Sequence, residues 1–127
     1  METGIHVAIV EKNNILRVKL ASVVSCDRRI RAVTLIRCHT FIEPAMKRHS
    51  ISLLLINMSE GSVLRETIAL AKSLNPKLKI LLYLDTDPGK TYGAIAKDFG
   101  ADCFIALDST RDPGDAIFRI CNLKENN

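Results

Sequence analysis

Four short stretches of this 127-residue chain hold side chains whose types could do chemistry together: Glu11 with Lys12, Asn57, Asp85 with Thr86, and Leu107 with Asp108. Each stands at or just past the end of an apolar run. Together they offer a carboxylate, an ammonium, a carboxamide and a hydroxyl. The carboxamide of Asn57 is a poor nucleophile beside a carboxylate. Magnesium takes oxygen ligands, often one or two carboxylates, and the Lys12 ammonium would repel it. These residues look wrong for phosphoryl chemistry.

Other chemistries find less support. No glycine-rich phosphate loop follows any apolar run: Glu11-Lys12-Asn13-Asn14 follows the first, and Gly61, Gly89 and Gly93 form neither a dinucleotide fingerprint nor a P-loop. Cys26, Cys38, Cys103 and Cys121 form no C-x-x-C pair and read as reduced thiols packed as small hydrophobes. His6, His39 and His49 keep no metal-ligand spacing. No cofactor and no metal are expected.

The elements that must position the rim follow from hydrophobic period. Five runs, at 6–10, 32–36, 52–57, 79–84 and 103–107, are continuous in apolar residues rather than alternating, as in parallel strands covered on both faces. Between them lie helical segments. Asn13 or Asn14 can cap the first, with Leu16, Leu20, Val23 and Val24 inward. A short second helix spans about 40–48, with Thr40 and Glu43 at capping-box spacing and Pro44 competing for its first position. The third covers about 62–74, with Leu64, Ile68 and Ala71 inward, and Asn75-Pro76 stops it.

The fourth helix opens on Asp87-Pro88 and closes at Gly100, while Gly89 and Gly93 weaken it by about 1 kcal/mol each. The fifth begins near Asp112-Pro113, buries Ile117, Phe118, Ile120 and Cys121, and leads into a polar tail at 124–127. Right-handed crossovers leave few topologies. The expected fold is flavodoxin-like: a three-layer α/β/α domain over 1–123 whose five-stranded parallel sheet runs in the order 2-1-3-4-5. That order brings Glu11, Lys12 and Asn57 together at the switch point between strands one and three.

Composition agrees with one globular domain. The apolar fraction is 47% and the charged fraction 25%. No apolar run reaches the ~20 residues of a membrane span, and no signal peptide is read at the N-terminus, so a cytoplasmic setting is expected. The net charge of +4 comes from the first 63 residues, with nine Lys/Arg against five Asp/Glu. Arg17, Lys19, Arg28, Arg29, Arg31, Arg37, Lys47 and Arg48 could form a basic face, although a solvated surface accounts for them as well.

With these elements in place the chain resembles the receiver domain of bacterial response regulators. The resemblance rests on the spacing of V-E-K-N-N-I-L-R-V at 10–18, L-L-L-I-N-M-S-E-G at 53–61, I-L-L-Y-L-D-T at 80–86 and F-G-A-D-C-F-I-A-L-D at 99–108. The region of the first helix is similar to receivers that precede helix-turn-helix output domains. The resemblance places Glu11 and Lys12 where active receivers keep an acidic pair for magnesium, and Asn57 at the phosphoacceptor. Asp85, or Thr86 after a one-residue slip, falls at the hydroxyl position, and Leu107 where a lysine meets the phosphoryl oxygens. Phe104 falls at the aromatic switch position. A single Asp-to-Asn change at 57 would not account for Lys12, Asp85 and Leu107.

The resemblance therefore implies a pseudo-receiver: a non-enzymatic, phosphorylation-independent regulatory module. It would work as a homodimer or docked to a protein partner through the face of helix four, strand five and helix five, at Tyr92, Ile95, Phe104 and Phe118. Nucleic acid would be met only through a fused output domain beginning after the polar tail, and no membrane is involved. Lys12 stands either as a surrogate for the metal, paired to Glu11 or Asp85, or free in solvent. The competing readings are a small-ligand-binding flavodoxin-like domain, a receiver that still accepts phosphate, and direct nucleic-acid binding by the basic half.

Overall fold

Uninterrupted apolar runs have nowhere to go but between two layers of helix, and the computed structural model places them there. It describes residues 4–86, 92–109, 112, 115–117 and 119. The strands are β1 (Ile5–Val10), β2 (Ile30–Ile36), β3 (Leu53–Asn57), β4 (Lys79–Leu84) and β5 (Cys103–Ala106). They form one sheet in the order β2-β1-β3-β4-β5, with every pair parallel. The helices are α1 (Asn14–Ser25), α2 (Ile42–Arg48), α3 (Leu64–Leu74) and α4 (Tyr92–Asp98), and residues 115–117 are helical again.

Alternation along the strands divides the core in two. Ala8, Val10, Leu54, Ile56, Ile80 and Leu82 face Ile42, Leu64 and Ile68 of α2 and α3. Val7, Ile9, Leu53, Leu55, Leu81 and Tyr83 face Leu20, Val24 and Ile117 on the opposite side. Each such fully buried aliphatic side chain contributes about 1.5–3 kcal/mol. The three central strands are buried almost throughout, as their composition requires. β2 lies at the edge, so Arg31 and Leu35 are exposed there.

The helix starts follow local chemistry. Asn13 caps α1, its side chain accepting from Leu16 N at 2.9 Å. The capping box expected at Thr40 and Glu43 does not form: a 3-10 turn occupies His39–Phe41, α2 begins only at Ile42, and no side chain caps it. Thr40 is taken instead by Cys38, with Sγ and Oγ1 2.9 Å apart. Gly100 ends α4 at φ +100, a conformation only glycine adopts freely, and Ala101 N returns to Ala96 O at 3.1 Å.

Several expectations need correction. Val23 was expected inward but is 40% exposed, and Arg17 takes the buried stripe with Leu20 and Val24. β5 ends one residue early, because Leu107 opens a 3-10 turn. Cys26 is exposed rather than packed, while Cys38 and Cys103 are half-buried free thiols. The expected start of the fourth helix at Asp87-Pro88, and the residues Phe118, Ile120 and Cys121 of the fifth, lie outside the described residues. So does the tail at 124–127.

Candidate functional site

The register of the central strands builds the site. Val10 stands beside Ile56 in the β1–β3 pair, so Glu11 follows beside Asn57; Asn57 in turn is the direct partner of Tyr83 across β3–β4. Three adjacent strands therefore place Glu11, Asn57 and Tyr83 in one row at their carboxyl ends, all pointing to the same face. All three are buried, at 4%, 9% and 0% exposure.

The row is a closed hydrogen-bond network around one carboxylate. Asn57 Nδ2 donates to Glu11 Oε1 at 2.8 Å, and Tyr83 Oη donates to the same oxygen at 2.6 Å. Asn13 N donates to Glu11 Oε2 at 3.1 Å. The remaining atom of the carboxamide, Asn57 Oδ1, accepts from Ser59 N at 2.8 Å. Burial pushes the Tyr83 phenol far above its usual range, and the hydrogen bond and charge of Glu11, then Asp85 and Glu60, push the same way. The phenol remains a donor at any physiological pH.

Arg17 braces the network from beneath. Its Nη1 donates to the backbone oxygen of Glu11 at 2.8 Å, and its Nη2 donates to Asn14 Oδ1. Next to the row, Glu60 on the 3-10 turn after β3 accepts from His39 Nδ1 at 3.1 Å through Oε1. Its side chain is only 4% exposed, and its Oε2 is buried without a hydrogen-bond partner among the described residues.

The other rim residues are arranged differently. Lys12 is exposed and makes no ion pair among the described residues, so it is no surrogate cation for Glu11 or Asp85. Asp85 and Thr86 are exposed, and Asp85 joins the rim through its backbone oxygen, which accepts from Asp108 N at 3.0 Å. Leu107 packs on the α1 side of the sheet. Phe104 and Tyr92 pack, partly buried, on the opposite side, where Ile95 is 38% exposed. Phe118 lies outside the described residues.

The donor set does not suit the magnesium ion that the resemblance implies for active receivers. Glu11 is the single buried carboxylate of the row, both its oxygens already accept hydrogen bonds, and Asn57 Oδ1 is taken by Ser59. Among the described residues no three His, Cys, Asp or Glu side chains converge as ligands. Nor does the row offer a carboxylate nucleophile: Asn57 has none, and that of Glu11 is fully engaged.

Tyr83 and Arg17 were not singled out from the sequence. Tyr83 sits inside the run I-L-L-Y-L and reads as core; the signal was its hydroxyl, which must find a partner when buried. Arg17 lies three and seven residues before Leu20 and Val24, a spacing that puts it on the inward stripe rather than on a basic face.

No protein-family model matches the chain, and no curated protein does. Solved structures do match. A chain of the complex between the P1 domain of CheA3 and CheY6 from R. sphaeroides superposes with a TM-score of 0.77 at 19% identity, over 98% of this chain and 99% of that one. The signal receiver domain of NarL from Mycobacterium tuberculosis gives 0.80 at 17% identity, over 95% and 98%. A pilus assembly protein (cpaE) from Burkholderia thailandensis E264 gives 0.76 at 18% identity, over 93% and 98%. The chain has the five-stranded parallel fold of response-regulator receiver domains.

Proposed function

We propose that this chain is a pseudo-receiver, a regulatory interaction module that works without phosphorylation and without catalysis of its own. One observation carries the reading: Asn57 and Tyr83 both donate to the same oxygen of the buried Glu11 carboxylate. Where a phosphorylated receiver would need a free nucleophile and a bound cation, this rim is filled by neutral donors. The module holds one conformation at the sheet edge and acts through protein contacts, as a homodimer or against a partner, using the face of α4 and β5 with Tyr92, Ile95 and Phe104.

Among the similar structures are a complex with the CheA3 P1 domain, a response regulator on promoter DNA and a pilus assembly protein, so this fold serves several kinds of output. We place the unit at 1–123, take 124–127 as the start of a linker to an output domain of the DNA-binding transcription type, and place the protein in the cytoplasm. No helix among the described residues is long and apolar enough to cross a membrane. Incubation with acetyl phosphate and magnesium, followed by intact-mass measurement, is expected to leave the mass unchanged. A gain of one phosphoryl group would refute the proposal.

A further inference from the structure

Contacts within the chain take up part of the basic face that its first half could form. Arg17 is buried, Arg29 pairs with Asp27 and Asp115, and Lys47 pairs with Glu43 at 3.0 Å. Lys19, Arg28, Arg31, Arg37 and Arg48 stay exposed, and of these Arg37 and Arg48 lie together. Both are exposed, neither has an ion-pair partner among the described residues, and both line one groove.

That groove, about 390 Å³, runs between the edge strand β2 and α2. Its apolar lining is built from Leu35, Phe41, Pro44 and Ala45, and it contains no carboxylate. Leu35 is 45% exposed and Phe41 52%. An edge strand presents unpaired backbone donors and acceptors, and proteins commonly guard such edges. Here the guard is cationic and the surface beside it is apolar. We propose that this edge groove binds an extended acidic segment of a partner protein, which adds a strand to β2, sets aliphatic side chains against Leu35 and Phe41, and sets carboxylates against Arg37 and Arg48.

Charge complementarity selects this occupant. A second copy is a poor one, because residues 30–37 hold no acid, so the edge strand of a second copy would bring no carboxylate to Arg37 and Arg48. A nucleic acid is also poor, because two arginines around an apolar lining neutralise few phosphates and a single exposed aromatic stacks few bases. The inference uses none of the rim side chains, although one end of the groove adjoins the rim, where Glu11 N donates to Ile36 O at 2.9 Å.

The test selects peptides from a random twelve-residue display library on the full chain and measures the selected peptides by fluorescence anisotropy. Expected are sequences that alternate Asp or Glu with Val, Ile or Leu, a loss of affinity of at least tenfold in Arg37→Glu with Arg48→Glu, and new hydrogen-exchange protection of amides at 30–36. Both arginines are exposed, so unchanged thermal unfolding of that variant verifies its folding. The proposal is overturned if the library yields no binder sensitive to the charge reversal, or if bound peptides leave β2 unprotected. It is equally overturned if duplex DNA, or self-association read by sedimentation, shows the arginine dependence instead of the peptides.

Discussion

Tyr83 and Glu11, 72 positions apart in sequence, meet across the end of the sheet with Oη 2.6 Å from Oε1. A fully buried phenol and a buried carboxylate each need the other: an unpaired buried hydroxyl or carboxylate costs far more than the hydrogen bond itself gains. Asn57 stands between them in register and shares the same acceptor oxygen.

Removing the phenol oxygen isolates its contribution. Tyr83→Phe keeps the ring in the core and withdraws one of the two donors from Glu11 Oε1. A loss of about 1–3 kcal/mol in unfolding free energy is expected, since a charge-bearing acceptor loses a partner. Chemical denaturation with the midpoint compared at constant slope reads it; an unchanged midpoint would mean that Glu11 is satisfied without Tyr83.

Restoring a carboxylate at 57 should harm the protein rather than activate it. Asn57→Asp exchanges a donor for a second negative charge beside a buried one, with an expected cost of about 1–3 kcal/mol at neutral pH. Because Lys12 and Leu107 remain unchanged, the variant is expected to show no mass gain with acetyl phosphate and magnesium. Phosphorylation of this single variant would show that the rest of the rim is competent.

The opposite end of the sheet gives a pH dependence. His6 is buried, its Nε2 lies 2.7 Å from Thr34 Oγ1, and its ring is 5.5 Å from that of His49. Burial, first, and then Arg31 and His49 lower its pKa below the ordinary 6.5. The unfolded chain therefore binds a proton that the folded chain resists. Stability is full above pH 6.5 and falls as the pH drops from there toward the lowered folded value. Urea midpoints between pH 7.5 and 5 should decline in the wild type and decline less in His6→Gln. Equal slopes would remove His6 as the cause.

How far the sequence could be read is clear in particular places. Continuous apolar runs carried the parallel sheet; crossover handedness left few strand orders, and the flavodoxin-like one chosen among them put Glu11 beside Asn57 correctly. Periodicity alone could not separate a buried tyrosine with a role from one that merely fills space, so Tyr83 was missed. The long charged arm of Arg17 misled in the same way, because residue type was weighed above its spacing from Leu20 and Val24. Val23 adjoins Val24 and so reads as part of the inward stripe, although it lies at that stripe's edge. Glu60 and His39 meet only through the turn after β3, which no local pattern announces.

The partner face predicts a separable effect. Ile95 is 38% exposed on α4, so Ile95→Glu costs the fold little, while a homodimer built on that face would lose affinity by at least tenfold. Sedimentation velocity across a concentration series, with thermal unfolding in parallel, distinguishes the two. Self-association unaffected by the substitution would place any dimer elsewhere.

The most direct measurement is a crystal structure of the chain soaked with magnesium and beryllofluoride. The expected result is an unoccupied rim with Tyr83 Oη and Asn57 Nδ2 still within hydrogen-bond distance of Glu11. A magnesium ion on Glu11, or a beryllofluoride adduct at residue 57, would contradict the account at its centre.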